Sequence, residues 1–592
     1  MCGYIGQISY KSIEKEKLEF CNQNIECRGP DSKNYLEVND HGLNIAGYFN
    51  RLSIIDLSPL ANQPMVSENE NFILFFNGEI YNHVELRKKL EFNNLKFKTS
   101  HSDTESLLNA LIFYGKNAVN YLRGQFAFVF IDKIQKKVFL CRDRVGQKPL
   151  YYFSDKETLS FSSNLTSLSY LTNQNKINHE GVLDYLNYGK VIGRSSIFLN
   201  LIELKPGEII EIDLNNFLNI KKSQYWNLAS KYDNLKFNLD EFNSIFHESV
   251  DLRTGSDVPY ATFLSGGLDS TSLVKSQSDK NKIVNTFSVY MGSTKYDERI
   301  YCEKVVKFYK TNHISIEMDS SLSIENIEKI VSKLDQPMAD PSIVPTYIIS
   351  NEISKHYKMA ISGDGGDELL GGYKRIHRSL NQTKFPELFN LLYKMYPPFL
   401  GSGNKFLSKT NNLNDRYNSF LFDGKLLELL NLDYKELNQF KNNLNLDNYK
   451  KLMLYEYDFF LSQLMMFKVD RASMANSLEV RSPFVDHKLI EYVFSHSYEY
   501  FDKKNPKNIL RNYLELDLGK DFVGRPKKGF TFNLEKFVYK NKSYFFESIL
   551  EVKKLLNLES KNTNNLFKFQ SRINANRIWK LYILNSYLVK HK

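Results

Sequence analysis

Disulfide chemistry is the first thing this chain lacks. Its 592 residues hold five cysteines, Cys2, Cys21, Cys27, Cys141 and Cys302, an odd number spread too widely for a framework, with no Cys-x-x-Cys pair to hold zinc. A reducing compartment, the cytoplasm, is the expectation. No apolar run approaches the ~20 residues of a membrane-spanning helix, and the N-terminus has no basic-then-apolar signal order. The formal charge of +10 is modest for this length, and the lysines are scattered rather than gathered into an arm, so nucleic-acid binding is not implied. The phosphate-binding pattern GxxxxGK[ST] is also missing. What remains, 42% hydrophobic and 25% charged residues, is the composition of a folded soluble protein. At ~150 residues per domain the length allows two to four domains.

One stretch nevertheless reads as a nucleotide site. In FLSGGLDS (263–270) an apolar run ends in a glycine turn that opens a helix, and such a turn lets backbone N–H groups approach an anion. Ser265 and Ser270 add hydroxyls, and Asp269 adds a carboxylate suited to Mg²⁺. The plain alternative is an ordinary strand-to-helix turn.

The N-terminal part carries a second set. A small residue after Met1 favours removal of the methionine, which would leave Cys2 with an α-amine as base beside its thiol nucleophile. RGPD (28–31), RLSIID (51–56), FILFFNGEIYN (72–82) and SDTE (102–105) each end an apolar run or start a helix. Together they suit a free amino acid: arginine for its carboxylate, aspartate for its ammonium, and Asn with a glycine N–H for an oxyanion beside a thiolate. More blandly, NG is a hairpin turn and SDTE a capping box for a helix over 105–114.

MCG, RGPD, RLSIID, NGEIYN, SDTE, RGQFAFVFID (123–132) and RDRVGQKPLYY (142–152), in this order, resemble the class II glutaminase domain of the asparagine synthetase family. The resemblance implies an αββα N-terminal nucleophile hydrolase sandwich. It also implies Cys2 as nucleophile, Asn77 and Gly78 as oxyanion donors, and a glutamine pocket of Arg51, Leu52, Ile54, Ile55, Asn77, Gly78, Glu79 and Asp103. Strands over 72–76, 126–131 and 137–141 fit such a sandwich. A linker is expected over 221–234 and a helix over 239–252, placing the boundary near 225, with domains at 2–224 and 225–592.

Beyond it, strand-like runs at 283–289, 313–316 and 358–361 alternate with helices, which predicts a parallel α/β sheet with ligands at the carboxyl ends of its strands. SGDGGDE (362–368) places three carboxylates among glycines at one such end, and Asp367 with Asp269 matches the hard oxygen ligands of Mg²⁺. From about residue 386 the chain reads as helical. SGGLDS, SGDGGDELLGGY, VDRASMANSLEVRSPFVD and RPKKGF resemble the synthetase domain of the same family, a PP-loop fold. That resemblance implies ATP contacts from Leu264, Ser265, Gly266, Gly267, Asp269, Ser270, Val289, Ser362 and Gly363, and Mg²⁺ on Asp269 and Asp367. It implies Asp364 at the acyl-adenylate and Lys527 as the active-site lysine. Some members carry Glu where this chain has the shorter Asp364. The implied reaction amidates a carboxylate with ammonia from glutamine, through an internal tunnel. Aspartate is the leading acceptor, and a uronic acid of surface polysaccharide or a non-catalytic sensor are the alternatives. The expected partners are glutamine, ATP and the acceptor, with no nucleic acid and no membrane insertion; a homodimer is left open.

Overall fold

Period-two burial builds the first half of the molecule. In the strand Phe72–Ile80, Ile73 and Phe75 join a core with Tyr4, Phe49 and Phe161, while Leu74 and Phe76 join another with Leu86, Leu107 and Leu111. Both faces are therefore covered, which is why this strand reads as an unbroken apolar run. The computed structural model describes residues 2–280, 282–290, 299–318, 322–381, 383–433, 446–496, 506–525, 532–558 and 562–590.

Two six-stranded antiparallel sheets result. The first runs Ile202–Glu203, Tyr151–Ser154, Thr158–Ser162, Gly3–Ser9, Leu43–Arg51, Ser32–Asp40. The second runs Asn216–Gln224, Glu208–Asp213, Lys137–Arg142, Gly124–Asp132, Phe72–Ile80, Met65–Val66. Helix Lys15–Asn22 covers the outer face of the first sheet through Leu18 and Cys21, and helices His83–Phe92 and Asp103–Tyr114 cover that of the second. This is the expected αββα sandwich.

Three local expectations need correction. Asn77 and Gly78 are not a hairpin turn; they continue their strand opposite Ala127 and Phe126, because flanking apolar residues on both faces hold the chain extended. Residues 221–224 of the expected linker belong to the edge strand Asn216–Gln224, whose exposed lysines keep a sheet edge in solvent. SDTE forms only half a capping box: Ser102 accepts from the Glu105 N–H, but the Glu105 carboxylate turns to the N–H groups of Lys98 and Thr99.

The second half is organised by a five-stranded, wholly parallel sheet in the order Asn312–Glu317, Asn285–Tyr290, Tyr260–Phe263, Met359–Ile361, Glu479–Arg481. The last strand is unanticipated. Its central Val480 enters the core under the sheet with Phe287, Ile349 and Ala360, so Glu479 and Arg481 are directed to the opposite face.

The two halves share one core, in which Leu52, Tyr185 and Tyr188 meet Met338, Phe459 and Tyr582. Buried ion pairs cluster at the same join, and Arg28–Asp470 and Arg123–Asp486 cross it. Arg28 holds Asp470 in a fork at 2.9 and 3.0 Å, Arg123 and Arg253 share Asp486 at 2.9 and 2.7 Å, and Arg471 binds Asp335 and the Tyr151 hydroxyl.

Burial alone would push the Asp470 carboxyl up, but Arg28, Arg471 and Lys148 overcome it and hold the group at about 2. Because that lies below the unfolded value of about 3.9, the stabilisation is complete above pH ~4 and is lost as pH falls toward ~2. Asp470→Asn leaves Arg28 and Lys148 buried without their counter-charge and is expected to cost about 3–5 kcal/mol at neutral pH. In circular-dichroism melts the variant should also show a flatter fall of Tm between pH ~4 and ~2 than the parent.

Candidate active site

Cys2 precedes the first strand and is buried. Its N–H donates to Asn77 Oδ1 at 3.0 Å, and its carbonyl accepts from Arg28 Nε at 3.1 Å. With the oxygen of its amide engaged, Asn77 points its Nδ2 elsewhere, and that buried donor has no hydrogen-bond partner among the described residues. An unused amide donor beside a thiol is what a developing oxyanion requires. Gly78 has φ +149°, and a Cβ there would lie 2.0 Å from the Gln125 carbonyl oxygen. Burial pushes the Cys2 thiol up, while the Leu52 N–H and the nearby Arg51 pull it down.

The rest of the expected glutamine pocket surrounds these groups. Leu52, Ile54 and Ile55 are buried. Arg51 spends its guanidinium on the carbonyls of Ile55, Asp56 and Ser58 and on Asn62 Oδ1, and so shapes the loop that carries them. Asp103 sits at the start of its helix and accepts from the Ile80 N–H at 3.1 Å. Glu79 and Asp103 are both buried, and burial raises both carboxyls, with Asp103 and Glu479 adding to the rise at Glu79 and Glu479 adding to it at Asp103. A pocket with these carboxylates favours a cation such as an α-ammonium.

The second cluster lies at the carboxyl ends of the parallel strands. After Tyr260–Phe263 the chain turns through Gly266 (φ +68°) into helix Leu268–Ser278, whose N-cap is Gly267 with no side-chain cap. Ser270 Oγ accepts from the Ser265 N–H, and Ser265 Oγ accepts from the Gly267 N–H, so these hydroxyls hold the loop's own shape. Leu264 is buried beside it, its N–H donating to the Phe287 carbonyl, and Val289 is the penultimate residue of the adjoining strand. Loop 362–367 lies directly against this turn: a Cβ on Gly363 would be 3.0 Å from Asp269 Cβ, and one on Gly366 would be 2.6 Å from Asp269 Oδ1. Both carboxylates converge on one cation. Lys507 Nζ is 2.6 and 2.5 Å from the oxygens of Asp269 and 2.5 Å from Asp367 Oδ1. Ser362 Oγ is buried with no partner among the described residues. Lys527 lies outside them.

A cavity lies where the two halves meet. Gln125, Gln147 and Lys148 line it from the sandwich, and Ser362, Asp364, Asp470, Val480 and Ser482 from the other half. Gln125 sits opposite Glu79 in the sandwich sheet, and its Nε2 donates to Glu479 Oε1 at 3.3 Å. The Ser482 hydroxyl donates to the Asp364 carbonyl.

A family model described as asparagine synthase matches residues 241–572, and one described as a glutamine amidotransferase domain matches residues 1–226. The chain belongs to the asparagine synthase family. It is 30% identical over 578 residues to asparagine synthetase (glutamine-hydrolyzing) 1 of Bacillus subtilis, covering 93% of this chain and 90% of that protein. It is 35% identical over 397 residues to putative asparagine synthetase (glutamine-hydrolyzing) 2 of Methanocaldococcus jannaschii, covering 63% and 76%. A third relative, asparagine synthetase (glutamine-hydrolyzing) 3 of Bacillus subtilis, is 28% identical over 89% of this chain and 86% of its own.

For this asparagine synthase family member, the structure adds Lys507, which lies outside every quoted motif, and gives partners to Glu479 and Arg481, which lie within VDRASMANSLEVRSPFVD (469–486). Lys507 follows a proline in a lysine-rich chain and carries no local signal. Glu479 and Arg481 did carry one, since charges alternating about a valine in a buried stretch mark a strand with one polar face. Gly78→Ala is expected to cost more than about 2 kcal/mol, because the new methyl meets backbone and not a movable side chain. A Tm unchanged within a degree or so would contradict the geometry.

Proposed function

We propose that the chain makes asparagine from aspartate, ATP and glutamine, hydrolysing glutamine in a domain of residues 2–224 and activating aspartate in a domain of residues 225–592. The observation that carries this reading is the cavity bounded by Gln125 on one side and by Ser362 and Asp364 on the other. Two independent reactions need no common wall, whereas passage of a small neutral molecule between them does.

In the first step, with Met1 removed, the Cys2 amine takes the thiol proton and the sulfur attacks the side-chain carbonyl carbon of glutamine. Asn77 Nδ2 and the Gly78 N–H receive the oxyanion; its collapse, with the proton passed from the Cys2 ammonium to the leaving nitrogen, expels ammonia and leaves a thioester that water opens to glutamate, freeing the thiol. Glu79 and Asp103 hold the α-ammonium, and Arg51 supplies positive charge for the α-carboxylate.

In the second, an oxygen of the aspartate side-chain carboxylate attacks the α-phosphorus of ATP and pyrophosphate leaves. Leu264, Val289, Ser362 and Gly363 contact the nucleotide, and the turn 265–270 with the helix N-terminus behind it receives phosphate oxygens. Asp269 and Asp367 would hold Mg²⁺, which neutralises triphosphate charge when bound; their convergence on the Lys507 ammonium supports this fit. Asp364 and Lys527 act at the acyl-adenylate, where ammonia attacks the carbonyl carbon and AMP departs.

Cys2→Ala should lose amide formation from glutamine and keep it from added ammonium, while Asp269→Asn should lose pyrophosphate release by about 100-fold or more with either donor. Asparagine, glutamate and pyrophosphate are assayed together. Glutamine hydrolysis without asparagine formation from aspartate and ATP would overturn the choice of acceptor. A separate check concerns the metal: Lys507→Ala removes the ammonium that competes for Asp269 and Asp367, so Mn²⁺ bound without nucleotide should be about ten-fold tighter by electron paramagnetic resonance.

A further inference from the structure

Arg481 belongs to the parallel sheet, yet its guanidinium ends in the glutamine pocket of the other half. Nη2 donates to Glu79 Oε2 at 3.0 Å, and Nε donates to Glu479 Oε1 at 2.5 Å. Nη1 donates to the carbonyls of Gly255 at 2.8 Å and Arg253 at 3.3 Å, so the side chain is held from three directions and is wholly buried. Among the described residues no other lysine or arginine bonds to Glu79. The backbone of the same residue faces the second site: the Arg481 carbonyl accepts from the Ser362 N–H at 2.9 Å, and the next residue, Ser482, donates its hydroxyl to the Asp364 carbonyl.

We propose that Arg481 is a positioning residue for glutamine, fixing the Glu79 carboxylate toward the substrate's amino-acid end and tying it through the Arg481 backbone to loop 362–364. This rests on the reading of Glu79 as a binder of the α-ammonium. Three features support it. A guanidinium shared between two carboxylates has one orientation, so Glu79 is fixed in place before substrate arrives. Arg481 uses only the Oε2 oxygen of Glu79 and leaves Oε1 to accept from an ammonium. Glu79 is crowded by burial, Asp103 and Glu479, all of which favour its neutral form, and Arg481 is the neighbouring guanidinium that opposes them. The glutamine pocket is therefore completed by a residue of the synthetase half. Glutamine binding and the conformation of loop 362–364 become linked, and linkage acts equally in both directions.

The test is steady-state glutaminase kinetics on the full chain. Arg481→Met combined with Glu479→Gln removes one buried charge of each sign, and KM for glutamine should rise about ten-fold or more with kcat within about three-fold. Arg481→Lys keeps the charge but cannot fork to both carboxylates, and KM should rise about three-fold. Thermal melts and amide formation from ammonium report that each variant is folded, and should the double variant fail to fold, Arg481→Lys decides. An unchanged KM for glutamine in either folded variant, or a fall in kcat at constant KM, overturns the proposal. If the parent enzyme hydrolyses no glutamine, the reading of Glu79 fails instead, independently of Arg481.

Discussion

A charge buried where two domains join is out of reach of water, and here the counter-charge comes from across the join as well as from the same half. At this interface Arg28, Arg123 and Glu79 from the sandwich meet Asp470, Asp486 and Arg481 from the parallel-sheet half, and every one of these side chains is nearly or wholly inaccessible. Removing one member of such a pair is far more damaging than replacing both with apolar residues, since the survivor keeps its desolvation cost. The pairs therefore set the register of one half on the other to within a hydrogen-bond length. Apolar contact through Tyr188, Phe459 and Tyr582 supplies area to the same interface but specifies position less sharply.

That register decides what the two sites can do together. The short strand Glu479–Arg481 pairs with Met359–Ile361, the strand that leads into loop 362–367, while its two charged side chains reach Gln125 and Glu79. A shift of this strand's register by one residue would point Val480 at Glu79 and the charges into the core. The cavity wall, loop 362–364 and the Glu79 carboxylate are thus all contacted by one three-residue element.

Much of this was readable from the chain. Strand identity around 72–76, 126–131 and 137–141 follows from apolar runs long enough to be buried on two faces, and the parallel sheet follows from alternation with helices. Cys2 was marked by its place after Met1, Asp103 by a helix start, and Asn77, Glu79, Asp269 and Asp367 by their place near the ends of such runs. Asn77 and Gly78 misled locally because the dipeptide has a strong turn preference; tertiary pairing with Ala127 and Phe126 overrides it. Lys507 carried no signal and Arg481 only its place in the 469–486 motif, because their contacts depend on partners 238 and 402 positions away in sequence. Only the folded topology brings such pairs within a bond length.

The distance in sequence between Arg28 and Asp470 has a consequence for synthesis. The two are 442 residues apart. At about 5–20 residues per second, Arg28 leaves the ribosome roughly 20 to 90 s before its counter-ion exists. The sandwich can assemble during that interval from its own strands, but its Arg28, Glu79 and Arg123 face water and not their final partners. On the ribosome, then, the thiol site is among the first parts of the protein to be made and among the last to be finished.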